Sequence, residues 1–255
     1  MSLDLRGYTP ARVSLGRAGC GLPTRELLEF QLAEAQARDA VHAVLDVSGL
    51  MNELARRGLI PIALKSAAAN RDEYLRNPAL GRALAADSDA KLRGVTGQSA
   101  GSDVVFILAD GLSAIAIQRH ALPLIGAVLA LLAKDRWRIG PACVVEQGRV
   151  AVGDCIGEAL GAQFSVVLIG ERPGLSSPDS LGIYVTWEPR PGRTDAERNC
   201  ISNVRPEGLS YAEAARRLCY LLTEGRRRRL TGVALKDGPS EERLRVGPAR
   251  LIEPL

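Results

Sequence analysis

Apolar positions change rhythm along this chain. Between Arg25 and Val47 they recur at helical spacing: Leu27, Leu28, Phe30, Leu32, Ala35, Val41 and Val44 stand among charged residues. That pattern predicts a long amphipathic helix after Pro23, with Thr24 as its N-cap. Further helices are expected at Met51–Arg57, stopped by Gly58, at Arg71–Arg76 and at Leu80–Asp87, with Pro78 between the last two. Residues 1–95 therefore read as a helical N-terminal region. The Gly/Ser-rich stretch at 96–102 reads as a linker.

From Asp103 onward the apolar residues come in short unbroken runs: Asp103–Ala109, Ala142–Val145, Phe164–Ile169, Leu181–Trp187 and Thr231–Leu235. Continuous Val/Ile-rich runs of this length suit strands buried on both faces. Helical segments alternate with them. One spans Ala114–Trp137, bent or delayed by Pro123. Another spans Ala151–Leu160 and is closed by Gly161. A third spans Ser210–Glu224 and opens on the capping box Ser210-x-x-Glu213. The alternation predicts an α/β fold: a Rossmann-like, mostly parallel sheet with flanking helices over 103–255, preceded by the smaller helical region. Arg190–Gly208 is expected to be a long polar loop, and the last residues a polar tail.

Composition removes several function classes. The 255 residues are 46% hydrophobic, as in a globular protein, and the net charge of +4 is too small to argue for nucleic acid. The basic run Arg226–Arg229 lacks aromatic interleaving and reads as a helix C-terminal turn that complements the dipole. No window reaches the roughly 18 uninterrupted apolar residues of a membrane span. The longest candidate, Ala121–Ala133, is too short and holds Pro123. The N-terminus has no apolar signal core, and five cysteines without a C-x-x-C pair suit reduced thiols. With only His42 and His120, a His-rich metal site is excluded. Neither G-x-S-x-G nor a P-loop occurs. A role in demanding chemistry then requires a cofactor or a second chain.

Three segments at strand C-terminal ends, where open α/β sheets bind ligands, carry the polar candidates. Asp110-Gly111-Leu112-Ser113 reads first as an ordinary capped turn and second as a phosphate or amide contact. Gly148–Asp154 reads as a loop that can line the same crevice. Gly170-Glu171-Arg172-Pro173-Gly174 places a carboxylate and a guanidinium there. Cys200, in the loop Arg190–Arg205, has no histidine nearby in sequence and suits ligand lining better than nucleophilic attack. The set lacks a general base with a partner, so it resembles half of a cofactor site and no catalytic residue is assigned. A stand-alone Rossmann-like nucleotide-binding module is the alternative, although G-x-G-x-x-G is missing.

In order along the chain, Thr9-Pro10-Ala11-Arg12-Val13, Pro23-Thr24-Arg25-Glu26-Leu27-Leu28, Asp110-Gly111-Leu112-Ser113, Gly170-Glu171-Arg172-Pro173-Gly174-Leu175 and Asn199-Cys200-Ile201-Ser202-Asn203 resemble the small (light) subunit of ethanolamine ammonia-lyase. The resemblance covers about residues 8–235. It implies an adenosylcobalamin-dependent radical lyase that converts ethanolamine to acetaldehyde and ammonia. It implies a TIM-type barrel large subunit that binds substrate and shares the cobalamin at the subunit interface, in a higher-order hetero-oligomer. Carried onto matching positions, it implies cobalamin contacts from Val150, Glu171 and Cys200. It also implies a bacterial cytoplasmic location. Members bound for microcompartments carry an N-terminal amphipathic extension, and this chain begins almost at the core motif. The chain has no D-x-H-x-x-G, so cobalamin is expected to keep its own benzimidazole on cobalt.

Overall fold

In the computed structural model of the protein, residues 12–99 and 101–236 are described. The motif Thr9-Pro10-Ala11 and the tail after Lys236 lie outside them. The frame is a six-stranded sheet of order β1-β3-β2-β4-β5-β6, made of β1 (Pro61–Lys65), β2 (Val104–Ala109), β3 (Ile139–Glu146), β4 (Phe164–Gly170), β5 (Leu181–Trp187) and β6 (Arg198–Val204). The first four run parallel, whereas β5 pairs antiparallel with β4 and β6 pairs antiparallel with β5. The expected mostly parallel α/β sheet is thus present, with an antiparallel edge.

β2 is buried along its whole length because helices cover both faces. Val104, Phe106 and Leu108 pack toward α2 (Val47–Arg56), α6 (Leu122–Leu132) and α8 (Tyr211–Arg228). Val105, Ile107 and Ala109 pack toward α7 (Val152–Ala159) and Leu92 of α4 (Ala86–Ser99). With few aromatics the core is mainly aliphatic, apart from Phe106, Phe164 and the fully buried Tyr74.

Several expectations are corrected. The segment read as wholly helical holds β1, in which Ile62 and Leu64 face the core and Pro61 takes the first position of an edge strand, where a missing donor costs little. The expected linker is largely helix, since α4 runs to Ser99. The expected loop Arg190–Gly208 contains β6. Thr231–Leu235 is no strand: Gly232 sits at φ 89, and the Asn199 side chain bonds Gly232 O and Leu235 O. Thr24 is the first helical residue of α1 (Thr24–His42), and Pro23 is the residue before it. Ser210 does cap α8, but Glu213 turns to Arg216 and Arg217, so only half of the capping box forms.

The long central helix is broken in character. It begins as α5 (Ala114–Ala116), passes through a π turn at Ile117–Ala121 and continues as α6. Ala114–Asp135 is long and apolar enough to cross a membrane by composition, with mean hydropathy 1.7. Its buried residues, Leu124, Ile125, Val128 and Leu132 among them, instead pack between the sheet and α8. α1 is the opposite case. Only Ala33 and Ala40 are buried, while Leu27, Leu28, Phe30 and Leu32 are exposed.

Candidate functional site

Side chains alternate across a strand, so Glu171 continues the face of Val167 and Ile169 on β4. On β5, Tyr184 lies on that face, and Cys200 of β6 pairs directly with Tyr184. Val150 reaches the same side from the β3–α7 connection. A groove of about 380 Å³ opens there, lined by Tyr74, Gly111, Arg149, Val150, Glu171 and Tyr184 among others. Val150 and Glu171 therefore line one groove, and Cys200 stands at its margin beside Tyr184.

The groove floor is built by backbone approach. Gly111 has φ +56, and a Cβ there would lie 2.3 Å from Gly170 O. A Cβ on Gly170 would lie 2.1 Å from Ser113 O. This closeness lets Leu112 N donate to Gly170 O at 2.9 Å, fixing where β4 ends and Glu171 begins. Ser113 Oγ accepts from Ala116 N at 3.3 Å and donates to Pro178 O at 2.9 Å, so the predicted cap is present. With Leu112 and Ala116 amides engaged, the turn works as a capped βα turn and offers no phosphate cradle.

Asp110 lies under this floor. Its carboxylate accepts from the backbone N–H groups of Gln147 and Gly148 at 3.0 Å each, tying β2 to the β3 exit that carries Val150. Burial pushes its pKa up to about 6, against the opposing pull of Gln147 N–H and Arg71. Arg71 Nη1 donates to Gly111 O at 2.8 Å, and Arg71 Nε donates to Val41 O at 2.7 Å. Tyr74 donates to Gly148 O at 3.1 Å, and its ring faces the guanidinium groups of Arg149 at 4.4 Å and Arg71 at 4.8 Å. Burial raises the Tyr74 pKa and keeps the phenol protonated.

The Glu171–Ser180 connection is anchored at its far end. Asp179 accepts from Arg119 Nη1 at 2.9 Å and faces His120 Nε2 at 3.3 Å, while His120 Nδ1 pairs with Tyr211 OH at 2.8 Å. Burial opposes the Asp179 charge, yet Arg119 and His120 hold its carboxyl below the usual range. The β6 side is anchored by Arg198, whose guanidinium meets the buried Asp154 carboxylate through two bonds of 2.5 and 2.6 Å. Burial, then the Cys200 thiol, raises the Tyr184 pKa. Cys200 Sγ lies 3.3 Å from Ser202 Oγ, and no histidine is among its hydrogen-bond partners.

Three residues of the basic run, Arg226, Arg227 and Arg228, are paired locally. Arg226 stacks 3.5 Å over Trp137 and pairs with Asp103 at 2.9 Å, while Arg227 and Arg228 pair with Glu224. Sequence reasoning passed over Tyr74, Tyr184 and Ser180 as site residues. Tyr184 was within reach of it, as a phenol on the same strand face as the carboxylate. Tyr74 had no signal, because the groups it meets, Gly148 and Arg149, lie far away in sequence.

Residues 2–236 match the family described as Ethanolamine ammonia-lyase light chain (EutC). The ethanolamine ammonia-lyase small subunit of Azotobacter vinelandii (strain DJ / ATCC BAA-1303) is 57% identical over 242 residues, 94% of this chain and 90% of that one. The protein of the same name from Xanthomonas campestris pv. campestris (strain B100) is 56% identical over 234 residues, 91% of this chain and 86% of that one.

Proposed function

This chain belongs to the ethanolamine ammonia-lyase light-chain family, and from that premise we propose that it acts as the small subunit of an adenosylcobalamin-dependent ethanolamine ammonia-lyase. That carbon–nitrogen lyase releases acetaldehyde and ammonia from ethanolamine. The chain contributes one wall of the cobalamin site, and a barrel-shaped large subunit binds the substrate. Adenosylcobalamin, when bound, supplies a cobalt–carbon bond whose homolysis starts the radical reaction.

The observation that carries the cofactor assignment is the convergence of Val150, Glu171 and Cys200 on one side of the sheet, around one groove. The donor set fits the ligand. A corrin rim bears amides, which seek acceptors, and Glu171 Oε1 has no hydrogen-bond partner among the described residues. Val150 and the exposed Cys200 offer small surfaces on either side of that carboxylate. Arg172 and Cys200 are exposed at the margin, so this chain forms a wall and needs a second chain to exclude water. The uncovered apolar side of α1 supports such a partner.

The role of this chain's residues is to bind and to orient. Gly111 and Gly170 set the carboxylate at the end of β4, and Asp110 sets Val150 relative to it. The test is co-expression with the large subunit. Ammonia release is expected only with both chains and adenosylcobalamin, and Glu171→Ala should weaken cobalamin binding by about tenfold or more, the scale of one hydrogen bond to a charged group. Ammonia release by this chain alone would overturn the division of labour.

A further inference from the structure

Behind the groove surface, a set of contacts acts on Glu171 alone. Glu171 continues the β4–β5 ladder, donating from its backbone N to Ser180 O at 2.9 Å, so the two side chains stand opposite each other. The Ser180 hydroxyl donates to Glu171 Oε2. The same oxygen accepts the backbone N–H of Asn203 at 3.3 Å.

A bulge brings that N–H into reach. Leu181 pairs with Val204 and Ile183 with Ile201, so Gly182 alone stands opposite both Ser202 and Asn203. Asn203 takes φ 60, the left-handed region that asparagine tolerates better than most residues. Its own contacts hold it there. Asn203 Oδ1 accepts from Arg205 Nε at 3.0 Å, and Asn203 O accepts from Leu209 N at 2.7 Å. The following turn fits because a Cβ on Gly208 would lie 2.3 Å from Asn203 O. Gly182 leaves room in the same way, since a Cβ there would lie 3.0 Å from Glu171 Oε1. Both hydrogen bonds to the carboxylate among the described residues fall on Oε2, and Oε1 is left open.

We infer that Ser180 and the Asn203 bulge are positioning residues for cobalamin binding: they occupy Glu171 Oε2 and hold the carboxylate so that Oε1 faces the groove as the acceptor for a ligand amide. This rests on the reading of Glu171 as a corrin contact. A carboxylate fixed before binding loses less side-chain freedom when the ligand arrives. A mere staple between β4–β5 and β6 would affect stability and leave ligand affinity unchanged.

The test uses the co-expressed two-subunit complex and a hydroxocobalamin absorbance titration, with Ser180→Ala, Ser180→Thr, Glu171→Ala and the Ser180→Ala/Glu171→Ala pair. Ser180→Ala is expected to weaken binding by roughly tenfold, in line with a hydrogen bond to a charged acceptor. Ser180→Thr, which keeps the hydroxyl, should recover most of that loss. In the Glu171→Ala background, Ser180→Ala should cause no further loss. If Glu171→Ala weakens binding but Ser180→Ala does not, or costs the same factor in both backgrounds, the positioning role is overturned and the corrin contact stands. If Glu171→Ala binds hydroxocobalamin like wild type, the corrin contact itself falls and the inference with it. Should Ser180→Ala fail to assemble, Ser180→Cys keeps the volume, weakens the donor and is read by the same scheme.

Discussion

Gly111→Ala tests whether close backbone approach builds the groove. The new methyl would lie 2.3 Å from Gly170 O and 2.5 Å from Ile169 Cγ1. The first is backbone in the middle of a hydrogen-bonded junction and cannot rotate away. A left-handed conformation costs a residue with a Cβ about 1–2 kcal/mol. Overpacking adds about 1–3 kcal/mol, and weakening the Leu112 N–H bond to Gly170 O about 1 kcal/mol. The loss should come to about 3–6 kcal/mol, or about 6–24 °C in melting temperature for a chain of this size. Differential scanning calorimetry of the two-subunit complex measures it, with Gly126→Ala as the comparison. Gly126 is an exposed glycine in α6 with nothing within 4 Å of a built Cβ, and the substitution there should gain up to about 1 kcal/mol from helix propensity. The same Gly111 variant should also bind cobalamin more weakly, because the end of β4 must shift and carry Glu171 with it. A Gly111→Ala complex that melts within about 2 °C of wild type would refute the reasoning.

Asp154→Ala should destabilise the protein by about 3–5 kcal/mol, because Arg198 is left buried without its counter-charge. Pairing Asp154→Leu with Arg198→Met should restore much of that in denaturant titrations, and additive losses would contradict a coupled pair. The raised Asp110 pKa, about 6 against an ordinary 3.8, makes the folded state bind a proton that the unfolded chain has released. Its contribution to stability is therefore complete below about pH 4 and lost as pH rises through about 6, a change on the order of 3 kcal/mol. Asp110→Asn should lack that fall, so the difference between wild-type and variant stability should drop by that amount as pH rises from about 4 to about 6. If the difference curve stays flat from pH 4 to 7, Asp110 is not the titrating group. EPR of the cob(II)alamin state with ¹⁵N-labelled small subunit should show no coupling from its imidazoles, since His120 is engaged by Tyr211 and Asp179. Such a coupling would mean that His42 or His120 reaches cobalt.

The strands legible in the sequence were those buried on both faces. β2 and β4 are unbroken apolar runs because helices cover them above and below, and burial on both faces leaves no place for polar residues. The edge strands lacked that signal. β1 buries only Ile62 and Leu64 and starts at a proline. β6 reads as polar because Arg198 and Asn199 are buried through specific partners, Asp154 and the Gly232–Leu235 turn, that lie far away in sequence. Thr231–Leu235 misled in the opposite direction, since its apolar residues close a turn around Asn199. At the candidate site, the placement of Glu171 was legible because it follows a strong strand, and Cys200 was singled out through the motif of the resemblance. Ser180 and Asn203 could not, because their roles arise from the antiparallel return of β5 and a bulge that one-dimensional patterns do not contain.

The edges of the sheet have a bearing on self-association. An outer strand with free N–H and C=O groups invites pairing with another chain. On β6 the chain covers the two ends of the strand itself: Val204 bridges to Leu209, Leu209 N donates to Asn203 O at 2.7 Å, and Val233 N donates to Ala196 O at 2.9 Å just before the strand. The Asn203 bulge interrupts whatever register remains. At the opposite edge, β1 is short, begins with Pro61 and ends on the charged Lys65. The sheet therefore ends on both sides in segments that resist templating by another strand.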